Sequence, residues 1–282
     1  MPLIAAAQIE TRLLDLEANL EKILRRMKQA SQQGAELVVF PECALTGYNL
    51  TPDEALEIAE PVPGPSTARL QAACSNLGIM TVIGMLEAGE DESLFNTAVL
   101  IGADGVLASY RKTHLPFLGL DRYMMQGNRI CSPVDTPIGR LGMLICYDLR
   151  FPEPMRVLAL AGAQVVLLPT AWPRAASLYP EYMARSRSME NTLYLVAANR
   201  VGEERGAAYL GRSVICGPEG EMLAEAGSDE DQLLLVDVDP ARSEQKRKIF
   251  IPGEYELDSI GDRRPELYQA ICDPQPTPSP GS

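Results

Sequence analysis

Three short stretches of this 282-residue chain each place a reactive side chain directly after a run of strand-forming residues. The first is Val38-Val39-Phe40-Pro41-Glu42-Cys43-Ala44-Leu45-Thr46-Gly47-Tyr48. A carboxylate fixed behind a buried strand and a proline is poorly solvated. Desolvation raises its pKa toward the range of a general base or acid at neutral pH. Taken alone, Glu42 reads better as a strand-end charge that finds water or caps a helix. The second stretch is Tyr110-Arg111-Lys112-Thr113-His114-Leu115-Pro116-Phe117. A strand-end lysine is commonly a surface charge, but beside a thiol its ammonium favours thiolate and holds a developing oxyanion. Lys112 and His114 stand two apart, so extended backbone aims both the same way, and His114 with Cys146 forms a rival thiol–imidazole pair.

The third stretch runs from Gly139 through Leu144-Ile145-Cys146-Tyr147-Asp148-Leu149-Arg150-Phe151-Pro152-Glu153. A strand over 141–145 ends in cysteine, and a helix is expected from Pro152. A thiol in such an elbow sits beside backbone N–H groups without helical acceptors, which can serve an oxyanion. Burial as an inert thiol is the commonest fate of a free cysteine. That fate is the expectation for Cys43, Cys74, Cys131, Cys216 and Cys272. Cys43, beside Glu42, also leaves open a thiol redox partner for Cys146. Each signal is weak singly; together they describe nucleophilic catalysis where strand ends converge on a crevice.

The surrounding pattern alternates strands and helices. Strands are expected at 3–8, 37–40, 80–86, 165–168, 194–198, 214–216, 222–224 and 233–238. A hairpin joins 97–101 to 106–110 through Ala103-Asp104-Gly105. Helices are expected at 16–32, with Leu16, Leu20, Ile23, Leu24 and Met27 on one face, and at 66–77, 152–161 and 181–190. This alternation is that of an α/β fold with both sheet faces covered. The division expected is one domain over 1–248 and a C-terminal extension over 249–282, whose last ten residues are Pro- and Ser-rich and read as flexible.

Apolar residues make up 46% of the chain and charged residues 22%, in keeping with a sizeable core. The net charge of −13 argues against a nucleic-acid partner and gives no attraction to anionic membranes. There is no CxxC pair and one histidine, so neither a disulfide framework nor a metal site has its spacing. The first eight residues lack a signal peptide's basic region. The uncharged stretch 157–173, broken by Gly162, Gln164 and Pro169, reads as a helix and strand rather than a membrane span. A cytoplasmic setting with reduced thiols is expected.

The sequence resembles the carbon–nitrogen hydrolase (nitrilase) superfamily. The matching stretches are FPECALTGY (40–48), YRKTHLP (110–116), GMLICYDLRFPE (142–153), RSMENTLYLVAANRVG (187–202) and GRSVICGPEGEMLAE (211–225). The resemblance implies a four-layer αββα sandwich, no metal or organic cofactor, and pairing of two subunits with C-terminal segments reaching over the partner. It implies Glu42 as base, Lys112 as oxyanion stabiliser, Cys146 as nucleophile and the Tyr147 N–H as oxyanion donor. Many members carry a second glutamate between lysine and cysteine; here Asp121 is the nearest carboxylate and the candidate substitute. Tyr147-Asp148 follows the cysteine where true nitrilases have Trp-Glu, which favours a small amide or carbamoyl substrate over a nitrile. Tyr48, Phe117, Tyr147 and Trp172 are the expected pocket walls, with ordinary packing an equal reading for Trp172. A non-catalytic scaffold remains the other alternative.

Overall fold

The structure, a computed structural model, describes residues 1–273. It separates into two compact units, residues 1–244 and the segment from Gln245 onward. The first unit opens with strands β1 (Leu3–Glu10), β2 (Leu37–Val39), β3 (Met80–Ala88), β4 (Leu94–Gly102) and β5 (Gly105–Arg111). The first three pair in parallel, and β3, β4 and β5 pair antiparallel. Helix α1 (Leu16–Gln32) connects β1 to β2; α2 (Pro52–Ile58) and α3 (Pro65–Leu77) connect β2 to β3. Asp15 starts α1 by accepting the Ala18 N–H at 3.2 Å. Leu20, Ile23 and Met27 then bury one helical stripe against the sheet.

A second sheet is built from β6 (Val134–Thr136), β7 (Gly139–Met143), β8 (Val165–Pro169) and β9 (Tyr194–Ala198). Helices α4 (Pro152–Leu160) and α5 (Ala184–Asn191) connect its parallel strands and pack against each other. Later come β10 (Arg200–Val201), β11 (Glu203–Glu204), β12 (Ala207–Ala208), β13 (Val214–Cys216), β14 (Met222–Glu225) and β15 (Gln232–Asp237). β13 and β14 extend the second sheet, while β10 and β15 return to pair with β1. The sheets face each other where β1 approaches β9 and β2 and β3 approach β8. Helices α1 and α3 cover the first sheet, and α4 and α5 cover the second. This is the expected four-layer αββα sandwich, and its inner strands β2, β8 and β9 are buried along their whole length.

Several expectations are corrected. The strand before Cys146 stops at Met143, because after Leu144 bonds Leu167 the chain turns into a 3-10 turn over Cys146–Arg150. The helix expected at 181 opens as a π turn over Tyr179–Met183. The C-terminal extension, for which no strand was expected, contains an antiparallel hairpin of β16 (Arg247–Ile251) and β17 (Tyr255–Asp258), with Phe250 stacked on Tyr255 at 4.5 Å. Of the cysteines expected to be buried, Cys131 is half-buried and Cys272 exposed, the latter in a one-turn helix, α6 (Gln269–Cys272), that buries nothing. The flexible-tail expectation falls, apart from Asp273, outside the described residues. Among the described residues no helix is long and apolar enough to cross a membrane.

One glycine fixes the approach of the site-bearing loop to the sheet. A Cβ on Gly84 in β3 would lie 2.5 Å from the Glu42 Cα and 2.8 Å from the Pro41 carbonyl oxygen. Both are backbone positions that cannot swing away. Gly84→Ala is therefore expected to cost about 1–3 kcal/mol, read as a lowered urea midpoint. An unchanged midpoint would mean that the contact is slack.

Candidate active site

Glu42 leaves β2 through Pro41, and its N–H donates to the Thr170 carbonyl at 3.3 Å, at the end of β8. Strand ends of the two sheets are thereby joined at the carboxylate. Lys112 follows β5; its N–H donates to the Asn96 carbonyl of β4 at 2.8 Å and its carbonyl accepts from Gly127 at 2.8 Å. Glu42 and Lys112 are both 0% exposed. The Lys112 Nζ donates to Glu42 Oε1 at 2.7 Å and to Asp121 Oδ2 at 2.5 Å. Asn96 Nδ2 donates to Glu42 Oε1 at 2.7 Å and to Asp121 Oδ1 at 2.9 Å, and the Tyr48 hydroxyl donates to Asp121 Oδ2 at 2.8 Å. The buried Glu42 Oε2 has no partner among the described residues. It is free to accept a proton.

Burial raises Glu42 above the ordinary carboxylate range, and Asp121 adds to this while Lys112 and Asn96 oppose it. Burial alone would lower Lys112, but the Asp121 and Glu42 carboxylates outweigh it and hold the ammonium well above its usual value. Cys146 shares this field. Burial pushes its thiol up, Glu42 pushes further, and Lys112 and the Ala171 backbone pull back. A buried thiol so placed stays protonated at neutral pH and needs a base to become a nucleophile.

Cys146 sits at φ +43°, a left-handed conformation that costs about 1–3 kcal/mol for a residue with a Cβ. Asp148 holds that turn. Its buried carboxylate accepts from the Ile145 N–H at 3.0 Å, the Tyr110 hydroxyl at 2.8 Å, the Thr113 hydroxyl at 3.1 Å and the His114 N–H at 3.1 Å. The elbow of Cys146 is thus tied to the strand end that carries Lys112. Tyr147 is the second residue of the 3-10 turn, where a backbone N–H lacks an intrahelical acceptor.

The expectation that Lys112 and His114 point the same way is corrected. β5 ends at Arg111 and the chain bends at Thr113, so Lys112 turns inward. His114 instead places Nδ1 2.7 Å from Asp148 Oδ1 and stacks on Phe151 at 4.0 Å. The Cys43 thiol faces Asn96 at 3.9 Å, and both Cys43 and Cys146 are free thiols.

Beside this cluster lies a cleft of about 260 Å³ lined by Tyr48, Phe117, Gly119, Arg122, Ala171 and Tyr209 among others. Tyr48 and Phe117 therefore reach it, although Phe117 is 89% exposed and forms only its rim. Trp172 does not line this cleft. It is buried, tilted on Tyr179 at 5.4 Å, and its neighbours Ala171 and Pro173 form the wall instead. The half-buried Tyr147 ring packs edge-on against Phe151 at 5.3 Å, also away from that wall.

Sequence reasoning passed over Asn96, Asp148 and Glu204. Glu204 Oε2 accepts the N–H groups of Tyr48 and Asn49, both at 3.0 Å, and the Tyr209 hydroxyl at 2.8 Å, while its other oxygen pairs with buried Arg200. For Asn96 the available signal was an amide inside an otherwise apolar strand, since a buried polar group needs a dedicated partner. If Asp148 sets the elbow, Asp148→Asn lowers stability by about 1–3 kcal/mol and slows iodoacetamide alkylation of Cys146. Unchanged alkylation would free the elbow from Asp148.

The carbon-nitrogen hydrolase family profile matches residues 3–248. A nitrilase from Pyrococcus abyssi is 36% identical over 270 residues, covering 94% of this chain and 98% of the relative. Deaminated glutathione amidase from Rattus norvegicus is 32% identical, covering 96% and 85%. The solved structure of an amidase from Nesterenkonia sp. AN1 superposes with TM-score 0.82 at 31% identity, covering 96% of each chain. A Glu→Gln mutant of that amidase, at TM-score 0.83 and 30% identity over 96% of this chain and 100% of that one, carries acrylamide added to its active site cysteine. With the profile spanning most of its length and relatives above 30% identity along nearly all of it, this chain belongs to the carbon–nitrogen hydrolase family.

Proposed function

We propose that the protein is a cysteine-dependent amidase that cleaves a short amide or carbamoyl compound to a carboxylic acid and ammonia or an amine. The observation that carries this reading is the unpartnered Glu42 oxygen in a buried cluster with Lys112, within the field that acts on the Cys146 thiol. Glu42 takes the thiol proton as sulfur bonds to the carbonyl carbon and the π electrons move to oxygen. Lys112 and the Tyr147 N–H hold that oxyanion. Glu42 returns the proton to the nitrogen as the carbon–nitrogen bond breaks. Water, deprotonated by Glu42, then attacks the thioester, and the acid leaves as Cys146 regains its proton.

Asp121 takes no proton in this scheme. It accepts a second bond from the ammonium beside Glu42, as the candidate substitute for the second glutamate of many family members. The similarity to amidases from Rattus norvegicus and Nesterenkonia supports amide over nitrile chemistry, as does Tyr147-Asp148 after the cysteine. Nitriles belong in the assay because one similar protein is named a nitrilase. A thioimidate would be their first intermediate.

We extend the proposal to assembly and setting. The half-exposed Ile249, Phe250, Tyr255 and Leu257 of the C-terminal hairpin are apolar surface suited to a second copy of the chain, testable by light scattering. Six free thiols suit a reducing compartment such as the cytoplasm.

The test is ammonia release from a panel of short amides, carbamoyl compounds and nitriles. Cys146→Ala and Glu42→Gln are each expected to lose at least a thousandfold in kcat/KM, while His114→Gln retains the Glu42-dependent reaction. Activity surviving in the alanine variant defeats the reading, and a His114→Gln loss equal to that of Cys146→Ala restores the imidazole base. Because burial raises Glu42, and the base must be ionised, kcat/KM is expected to fall on the acid side at a pH above the ordinary glutamate range. A limb at or below pH ~4 would contradict a desolvated base.

A further inference from the structure

Cys146 and Thr170 leave neighbouring strands side by side. In the parallel ladder of β7 and β8, Met143 stands opposite Leu167, and Cys146 and Thr170 each follow their own member of that couple by three residues. Leu144 N–H still donates to the Leu167 carbonyl at 3.1 Å, so the two chains stay together as the elbow begins. Thr170 is then clamped through its backbone. Its N–H donates to the Ala198 carbonyl at 3.0 Å, and its carbonyl accepts the Glu42 N–H at 3.3 Å. A β-branched side chain on a clamped backbone has little χ1 freedom, so the hydroxyl has a fixed aim.

That hydroxyl is unspent. Thr170 is fully buried, and its Oγ1 makes no hydrogen bond with any described residue. A buried hydroxyl without a partner forfeits its hydration, which is costly unless the donor is used at another stage. Thr11 and Ser188 also carry unpartnered buried hydroxyls; its place beside the sulfur sets Thr170 apart. Burial and Glu42 push the Cys146 thiol up, while Lys112, the Thr170 hydroxyl and the Ala171 backbone draw it down. The hydroxyl thus lies within reach of the sulfur and favours its charged form. A neutral thiol is a weak acceptor, whereas a hydrogen bond to an ionised acceptor is about twice as strong as a neutral one.

We propose that Thr170 is a further catalytic residue, whose hydroxyl donates to the Cys146 sulfur whenever that sulfur carries negative charge. This inference rests on the amidase reading and deepens it. In acylation the thiol proton passes to Glu42 Oε2. Thr170 keeps its own proton, and its hydroxyl takes up part of the charge on sulfur until the carbon–sulfur bond forms. In deacylation the electron pair of the breaking carbon–sulfur bond returns to sulfur, where the same hydroxyl holds it until Glu42 hands back the proton. Lys112 and the Tyr147 N–H serve the substrate oxygen, so oxygen and sulfur have separate donors.

The experiment uses Thr170→Val, which keeps the branched shape and removes the donor, and Thr170→Ser, which keeps the donor. Two rates are measured on the full chain. One is iodoacetamide alkylation of Cys146, followed on its peptide by mass spectrometry. The other is turnover of the most rapidly cleaved member of the short-amide panel. Thr170→Val should slow alkylation and lower kcat and kcat/KM together, each roughly ten- to hundredfold, with KM little changed. Thr170→Ser should recover most of both. The urea midpoint of Thr170→Val should stay or rise, because an unpartnered buried hydroxyl is lost. Wild-type rates in Thr170→Val overturn the proposal. So does a lowered midpoint with slow rates that Thr170→Ser fails to recover, which would make Thr170 a packing residue. Slowed alkylation in a protein that cleaves no amide supports the Thr170 donor and defeats the amidase reading; amide cleavage with alkylation untouched by Thr170→Val does the reverse.

Discussion

Lys112 keeps a full positive charge out of water between two carboxylates, and the rest of the site is arranged to make that tolerable. Removing three charged groups from solvent costs several kcal/mol per ion, which attraction offsets only when geometry is tight and the remaining polar atoms are bonded. Asn96 bridges both carboxylates, and Tyr48 completes Asp121. Deleting one member of such a cluster leaves a buried charge uncompensated. The cluster therefore fixes the strand ends that supply it, with Glu42 after β2, Asn96 within β4 and Lys112 after β5. The Glu42 N–H carries the constraint across to the second sheet at Thr170.

That constraint sets the state of the sulfur. Burial discourages a thiolate at Cys146 and the Glu42 carboxylate adds to this, even as Lys112 favours one. The same burial that raises the thiol raises Glu42, so donor and acceptor move together and transfer between them stays feasible. Under the proposed mechanism, a resting protonated thiol is guarded from oxidation and becomes a nucleophile when a substrate carbonyl arrives. The left-handed Cys146 backbone and the Asp148 anchor belong to the same design, since they aim the sulfur without moving the cluster.

The sequence made the αββα alternation legible because its strands are continuous apolar runs and its helices carry one apolar stripe. The three reactive residues were visible because each closes such a run. Their convergence was not derivable from periodicity, since it depends on contacts between residues 70 apart, as for Lys112 and Glu42; the family motifs conveyed it. Period-two spacing misled for His114 because the extended strand stops at Arg111 and the chain bends at Thr113, between the two side chains. Asn96, Asp148 and Glu204 were hidden because hydrogen bonding to distant backbone leaves no local pattern. The pocket walls were least legible: Trp172, for which a wall and ordinary packing read equally well, is packed inside, whereas Arg122 carried no signal and lines the cleft.

The central claim is that the Cys146 sulfur carries the acyl group between two half-reactions. Acid quenching of the wild-type protein during steady turnover of a short amide, followed by peptide mass spectrometry, tests it directly. The account predicts one acyl group added to the peptide containing Cys146, lost on treatment with hydroxylamine. Steady ammonia release with that peptide unmodified at every quench time, or an acyl group found on another residue, would contradict it.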